Sequence, residues 1–340
     1  MRSPDLVERS TPSMKRAKHA TLWVMRALGL FALARWRSRR GVRILCYHGA
    51  WRGDEEFPGD SMFMRPGTFQ ARLDTLARLG YPVIPLDQAV AGLAGTARLP
   101  PAAVVLTIDD GWYSFYSDML PALRRRDLPA TLYVDTGHLL SRRPVPHVMA
   151  RYFTLIAGRD EPVAADRSTD LDTRLDHAQT LGTRLGIDVG RYGANRVFEY
   201  MTPEELALAA ANGLDVQLHT HGHTMGDFGA DIVAAEIGRN RDALSRILAA
   251  DAASLRHFCY PSGVHDRAVG PTLAALGIAS ATTTEAGIAY RGMDRFFLPR
   301  LLDGENLTPL EFEAELAGIG DLLRAVAAIW RKAGTARIPA

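Results

Sequence analysis

Apolar runs of five or six residues alternate along this chain with longer segments in which apolar residues recur every three or four positions. Runs of the first kind predict buried strands, and the second pattern predicts helices that pack on them. We predict strands over residues 42–47, 81–86, 104–108, 129–134, 214–218, 255–260, 278–283 and 296–300. Strands and helices follow one another at the spacing of parallel βα units.

The number of these units predicts the fold class. Seven or eight βα units without an internal repeat or a domain linker favour one barrel-like α/β domain, which we assign to residues 42–307. The alternation of strands and helices becomes less regular between residues 138 and 198. We predict an insertion there that covers one rim of the domain without a core of its own. Thr308 and Pro309 begin a capped helix, so residues 308–340 are assigned to a C-terminal helical extension.

Single residues predict where some helices begin, bend and end. Thr68 is an N-cap type of residue and Gly80 a typical stop, so we predict a helix between them. Pro121 is expected to bend a helix around residues 115–126. The C-terminal extension is expected to present Leu322 and Trp330 on one face.

Composition narrows the class of protein. The chain has 340 residues, of which 47% are hydrophobic and 23% charged, as is typical of a globular protein. Its two cysteines, Cys46 and Cys259, are too few for a disulfide framework and lie in apolar runs. Buried free thiols fit a reducing compartment, and we therefore expect a cytoplasmic location.

The N-terminal leader, residues 1–41, is strongly basic. Residues 1–43 contain eleven Lys and Arg against two acidic residues, a net charge of +9, which leaves −7 for the remainder of a chain whose total is +2. Its apolar stretch from Thr21 to Ala34 is interrupted by Arg26 and is too short to span a bilayer. No nucleic-acid recognition module follows, so no nucleic-acid partner is expected.

Two interpretations of residues 14–40 fit these observations. The segment is either a cationic amphipathic helix at the inner face of a membrane, or a helix packed on its own domain.

Polar side chains follow several predicted strands. The run that ends at Ile108 continues into Asp109, Asp110 and Gly111. Adjacent strand residues face opposite sides, so both carboxylates serve one site only if the backbone leaves the β conformation there, which Gly111 permits. Otherwise they are solvated turn residues. The exits of parallel barrel strands meet at one end. The other exits present Tyr47-His48, His219 to His223, Pro261-Ser262-Gly263 and Arg300.

Two histidines four positions apart suggest a metal site. On one helical turn or a tight loop, His219 and His223 can approach one ion. With one carboxylate of the Asp109-Asp110 pair they form a set of two nitrogens and one oxygen, which is typical of catalytic zinc and leaves a position for water. The other carboxylate is then a candidate general base. The alternative is a stretch that is His-rich by chance, since His221 lies between the two.

These residues occur in an order that resembles the polysaccharide deacetylases, the NodB-like enzymes of carbohydrate esterase family 4. The branch of exopolysaccharide and biofilm deacetylases is the most similar. The resemblance covers residues 42–302 and implies a distorted (β/α)7 barrel and metal-dependent removal of N-acetyl groups from glycans. It rests on Tyr47-His48, Thr68-Phe69, Leu76, Gly80-Tyr81, Pro100, Val104 to Gly111, Pro121, Pro129-Ala130-Thr131, His219-Thr220-x-x-His223 and Tyr260-Pro261-x-Gly263.

The resemblance also implies roles for individual residues. Asp109 is the implied general base, and Asp110, His219 and His223 are the implied ligands of a divalent metal, zinc in the first place, with cobalt or nickel as alternatives. The backbone N–H of Ser262 is the implied oxyanion donor. The chain has no late Leu-x-His motif, whose histidine is the general acid in many members.

Two further assignments depend on the same branch. His48 takes the role of the general acid there, although a histidine can also cap a strand end. Cys259 stands where many members have an arginine, and we predict that Arg300 pairs with Asp109 instead and keeps it ionised. The alternative for Arg300 is an ordinary surface residue.

Aromatic residues near these motifs are candidates for stacking on sugar rings. They are Trp112, Tyr113 and Tyr260, together with Trp51, and core packing is the alternative for each. The expected partner is an acetylated glycan of a bacterial polysaccharide or of its precursor. The same groups would also serve an O-acetyl esterase, and a non-catalytic glycan-binding barrel is the alternative outside enzymes.

Overall fold

The computed structural model describes residues 12–53, 59–159 and 170–324. Its strands are β1 (Arg43–Tyr47), β2 (Gly49–Ala50), β3 (Phe63–Met64), β4 (Val104–Ile108), β5 (Thr131–Val134), β6 (Asp215–Leu218), β7 (His257–Cys259), β8 (Ser280–Ala286) and β9 (Leu298–Leu302). Its α-helices are α1 (Pro12–Ala27), α2 (Leu30–Arg37), α3 (Pro66–Arg78), α4 (Leu86–Ala94), α5 (Leu120–Arg124), α6 (Thr136–Ser141), α7 (Pro146–Ile156), α8 (Leu171–Arg184), α9 (Val189–Ala194), α10 (Pro203–Ala211), α11 (Ala230–Leu248), α12 (Gly270–Ala275) and α13 (Pro309–Ala317).

Seven parallel strands close into a barrel in the order β1-β4-β5-β6-β7-β8-β9, and β9 pairs back with β1. The register of β1 and β4 runs from Arg43 opposite Val104 to Tyr47 opposite Ile108. Every residue of these two strands is buried, because side chains on one face fill the barrel and those on the other pack under helices. The predicted seven-stranded α/β barrel is confirmed.

The predicted strand over residues 81–86 is wrong. Only Val83 pairs there, in a single bridge with Val104, and α4 begins at Leu86. Pro82 and Pro85 lack the backbone N–H that a longer ladder needs.

Two helix predictions also change. Thr68 does not cap α3, which begins at Pro66 with the fixed φ angle of proline; the Thr68 hydroxyl donates to Glu305 instead. The predicted bend at Pro121 is a change of helix type, from a π-helix at Phe115–Met119 to α5.

The segment predicted as an insertion contains α6, α7, α8 and α9. Its aromatic side chains join the main core, where Trp51 stacks on Tyr152 with ring centroids 5.4 Å apart. Residues 158–195 are rich in Asp and Gly, yet α8 and α9 form there because Asp170 and Asp188 accept hydrogen bonds from Thr173 N–H and Arg191 N–H as N-caps.

The helices α1 and α2 form a hairpin that packs on α13. Leu22, Phe31 and Ala34 contact Leu310 and Ala314 in a small separate core, so one face of the leader packs on its own domain as the second interpretation predicted. Among the described residues, no helix combines the length and the hydropathy needed to cross a bilayer. The predicted continuation of the C-terminal extension to Trp330 lies outside the described residues.

A buried arginine fixes the hairpin at one end of the barrel. Arg43, the first residue of β1, donates to the carbonyl oxygens of Ser38 and Gly41 at 2.9 Å and of Leu316 at 2.9 Å. The hairpin therefore lies at the N-terminal end of the barrel strands, and the strand exits lie at the opposite end.

Candidate active site

The two adjacent acids face one site because the backbone turns sharply after β4. Asp110 has φ 77° and Gly111 φ 114°, so neither continues the strand. Asp135 N–H donates to the Asp110 carbonyl at 3.2 Å, and Met201 N–H donates to the Gly111 carbonyl at 2.9 Å. A left-handed aspartate costs about 1–2 kcal/mol, and these contacts, from the exit of β5 and from the loop before α10, hold it in place.

Asp110, His219 and His223 lie together, as predicted for metal ligands. The Asp110 Oδ1 atom is 3.3 Å from His219 Nε2 and 3.4 Å from His223 Nε2. One ligand atom from each residue lies within 4.8 Å of the other two. Two nitrogens and one oxygen at this spacing fit a catalytic zinc site.

Further contacts orient these three side chains. His219 Nδ1–H donates to the Cys259 carbonyl at 2.8 Å, which orients the ring so that Nε2 faces Asp110. Trp112 Nε1–H donates to Asp110 Oδ2 at 2.8 Å, so the other carboxylate oxygen faces the histidines. Burial alone would raise the pKa of Asp110, but hydrogen bonds from His219 and His223 hold it well below its ordinary value. Asp110 is therefore in the ionised form that a metal requires.

Asp109 forms a bidentate ion pair with Arg300. The two guanidinium NH groups donate to the two carboxylate oxygens at 2.7 and 2.6 Å, and Arg300 is fully buried. The predicted pair is confirmed, and the surface alternative for Arg300 is wrong. Burial alone would raise the pKa of Asp109, but the charge and hydrogen bonds of Arg300 lower it to about 2. The thiols of Cys46 and Cys259 also approach Asp109 Oδ2, at 3.5 and 3.4 Å.

His48 lies next to this pair at the exit of β1. One of its ring nitrogens lies within 4.8 Å of ligand atoms of Cys46 and Asp109. Its Nδ1 atom is buried and has no hydrogen-bond partner among the described residues. The buried Nδ1 atom therefore has a hydrogen-bonding capacity that the described residues do not use.

Ser262 lies at the exit of β7, in the single turn Pro261–Gly263. Its φ of 54° is left-handed and its side chain is exposed. Only Tyr260 separates the turn from Cys259, whose thiol contacts Asp109, so the turn lies on that side of the barrel.

The structure corrects the stacking roles proposed for two aromatic residues. Trp112 is 1% exposed, packs against Tyr200 at 4.7 Å between ring centroids, and orients Asp110 instead of facing solvent. Tyr260 is fully buried and stacks on Phe297. Neither ring is accessible to a sugar.

The other two candidate rings, Tyr113 and Trp51, are also covered by neighbouring residues. Tyr113 is half-buried under the Arg196 guanidinium, whose carbon lies 3.6 Å from the ring centroid. Trp51 is 6% exposed and belongs to the main core.

The exit of β5 supplies a pair to which we assigned no role in the sequence. Asp135 is fully buried and accepts hydrogen bonds from His138 N–H at 3.0 Å and from His138 Nδ1 at 2.5 Å. The His138 ring lies 6.2 Å from that of His223 and 5.5 Å from that of Tyr200, between centroids. In the sequence, this pair could have been found from an aspartate and a histidine that lie three residues apart at a strand exit.

Comparisons with known proteins agree with this geometry. The model of a family described as polysaccharide deacetylase matches residues 96–281, more than half of the chain. A poly-beta-1,6-N-acetyl-D-glucosamine N-deacetylase of Escherichia coli (strain K12) is 34% identical over 83 residues. That match spans 24% of this chain and only 12% of the length of the curated relative.

Two solved structures have a similar fold. The deacetylase PplD of Streptococcus pyogenes, in complex with acetate, superposes with a TM-score of 0.58 and 20% identity, over 81% of this chain and 98% of that one. IcaB from Ammonifex degensii gives a TM-score of 0.56 and 21% identity, over 82% and 96% of the two chains. At these identities the likeness concerns the fold.

Proposed function

Because this chain belongs to the polysaccharide deacetylase family, we propose that it is a metal-dependent hydrolase that removes N-acetyl groups from a sugar of a bacterial polysaccharide or of its precursor. The observation that carries this proposal is the joint presence of an ionised Asp109, paired with Arg300, beside the cluster of Asp110, His219 and His223. Glycan binding alone does not require a buried, charged carboxylate next to a set of metal ligands.

Asp110, His219 and His223 would hold the metal. Their donor set supports zinc, and cobalt or nickel accept the same ligands. When bound, such an ion polarises the acetyl carbonyl and lowers the pKa of a coordinated water. Trp112 and the Cys259 carbonyl keep the ligands aligned.

Asp109 is the proposed general base. Arg300 binds both carboxylate oxygens and keeps the group ionised, so it is ready to accept a proton from the attacking water.

His48 is the proposed general acid that protonates the leaving amine nitrogen. Its position beside Asp109 at the exit of β1 supports this role. The backbone N–H of Ser262, in the exposed turn after β7, is the proposed donor to the carbonyl oxygen as it gains negative charge.

An acetate-release assay tests the proposal. The purified chain is incubated with oligomers of β-1,6- and β-1,4-linked N-acetylglucosamine and with an O-acetylated glycan, with added zinc, cobalt or nickel and with chelator. We expect metal-dependent release from an N-acetylated oligomer and a loss of release in Asp109→Asn with an unchanged metal content. Release only from the O-acetylated glycan would replace the proposal by an esterase, and no release from any substrate would refute it.

A further inference from the structure

A large apolar face of the α1–α2 hairpin is exposed, opposite the face that packs on α13. We call it the hairpin face. Its six side chains have exposed fractions between 36% and 71%. They are Trp23, Val24, Leu28, Leu30, Leu33 and Trp36. In the described chain beyond residue 41, only six large hydrophobic residues are as exposed, and they are distributed over five other segments.

The spacing of these residues groups them on each arm of the hairpin. Leu30, Leu33 and Trp36 are three positions apart on α2 and lie along one side of it. Leu28 follows the end of α1, and its N–H donates to the carbonyl of Val24 one turn earlier at 3.0 Å. Apolar residues thus cover both faces of the hairpin, and α13 buries only one of them.

Positive charge surrounds the hairpin face. Residues 12–40 contain eight Lys and Arg and no Asp or Glu. Two of these cations form ion pairs with acidic residues of α13. Lys18 pairs with Glu311 at 2.8 Å, and Arg26 pairs with Glu313 at 3.1 Å. Lys15, Arg16 and others remain exposed around the apolar residues.

Both exposed tryptophans have a cation against the ring. The Arg26 guanidinium lies 5.5 Å from the Trp23 ring centroid, and the Arg39 guanidinium lies 4.5 Å from that of Trp36. Tryptophan beside arginine or lysine is the composition of side chains that settle in the headgroup region of a bilayer.

Charge argues against two other occupants of the hairpin face. A second copy of the chain would bring two basic surfaces together across a mostly apolar contact. Residues 325–340 contain Arg331, Lys332 and Arg337 and no acidic residue, so they repel the hairpin as well. An anionic surface complements both the cations and the apolar residues.

We propose that the hairpin face binds the surface of a membrane rich in anionic phospholipids, with Trp23 and Trp36 in the headgroup region. The contact is peripheral, since neither α1 nor α2 is long and apolar enough to span the bilayer. Arg43 fixes the hairpin at the N-terminal end of the strands, so this contact lies at the other end of the barrel from the exits of β4 and β6. The proposal does not depend on the activity of the site.

Sedimentation with vesicles tests this proposal on the full chain. We expect binding to vesicles of phosphatidylcholine mixed with phosphatidylglycerol, weak binding to phosphatidylcholine alone, and release by salt. The double substitution Trp23→Gln/Trp36→Gln should lower the vesicle partition coefficient by at least about tenfold. The matched control Leu140→Gln/Leu208→Gln changes two equally exposed residues elsewhere and should bind normally.

A charge variant and a folding control complete the test. Arg16→Gln should weaken binding to the anionic vesicles only, and the exposed Arg184→Gln on α8 should not. All variants should keep the thermal unfolding midpoint of the parent. Equal binding to both kinds of vesicle, or normal binding by the tryptophan variant, would overturn the proposal. So would a dimer that dissociates on the tryptophan substitutions in a protein that binds no vesicles.

Discussion

Replacing Arg300 with methionine would leave the buried Asp109 carboxylate without its cation. The guanidinium donates two hydrogen bonds of 2.6–2.7 Å to Asp109. It also places a full positive charge next to this carboxylate. The thiols of Cys46 and Cys259 remain, but they are weak donors. Burial disfavours the ionised form of Asp109, and without Arg300 little offsets this effect. The pKa of Asp109 should therefore rise above its ordinary value.

The size of the effect follows from the pKa of Asp109. Its fall from the ordinary 3.8 to about 2 corresponds to about 2 kcal/mol at 1.36 kcal/mol per pH unit. Because the folded pKa is the lower one, ionised Asp109 stabilises the fold above about pH 4, and this contribution disappears as the pH falls towards about 2. Removing one partner of a buried pair typically costs about 3–5 kcal/mol, and we expect that loss for Arg300→Met near neutral pH.

Two measurements check this expectation. The free energy of unfolding of Arg300→Met should fall by about 3–5 kcal/mol at pH 7 and should recover as the pH is lowered, opposite to the parent protein. The acid limb of kcat/KM should move up by about two pH units or more, while the metal content measured by elemental analysis stays the same. The double variant Asp109→Asn/Arg300→Met, which has no buried charge, should regain most of the stability.

Arg300→Lys serves as the control that keeps the charge but loses the bidentate geometry. It should fall between the parent and Arg300→Met in both measurements. Unchanged stability at pH 7 together with an unmoved acid limb in Arg300→Met would refute the assignment of Arg300 as the residue that keeps Asp109 ionised.

Three other substitutions test the remaining contacts. Trp112→Phe removes the donor to Asp110 Oδ2, and we expect metal affinity, measured by competition with a chelator, to fall about 10–100-fold; an unchanged affinity would mean that the indole does not orient the ligand. His48→Gln should lower kcat about 10²–10⁴-fold with the metal still bound, and normal turnover would place the general acid elsewhere. Thr202→Ala removes the cap of α10 and should cost about 1 kcal/mol in urea unfolding without an effect on metal content; a loss of metal would contradict a purely local role.

The barrel was predictable because its strands are buried on both faces. Burial on both sides requires near-continuous apolar runs, and these are visible in a sequence without any contact information. The predicted strand at 81–86 failed for the opposite reason. The segment is apolar, but Pro82 and Pro85 have no backbone N–H to donate to a neighbouring strand. A hydropathy pattern does not show that these donors are missing.

The site was predictable where residue type alone determines chemistry. Carboxylates and histidines at strand exits indicate a metal site whatever their exact orientation. Arg300 was assigned to Asp109 through the resemblance to the exopolysaccharide deacetylase branch, and the structure shows the pair. The role of Trp112 depends on which way its ring points after a left-handed turn at Asp110, and that direction follows from tertiary contacts. The helices α8 and α9 were missed because the aspartates that cap them have the composition of loops.

The partner of the base comes from the last strand of the barrel. During synthesis, Asp109, Asp110, His219 and His223 are all made before Arg300, which arrives with β9, the strand that closes the ring against β1. A nascent chain therefore has every proposed metal ligand while its buried base still lacks a counter-ion. Closure of the ring by β9 also brings Arg300 to Asp109, so a partly made chain that already held the proposed metal would still lack the counter-ion of its proposed base.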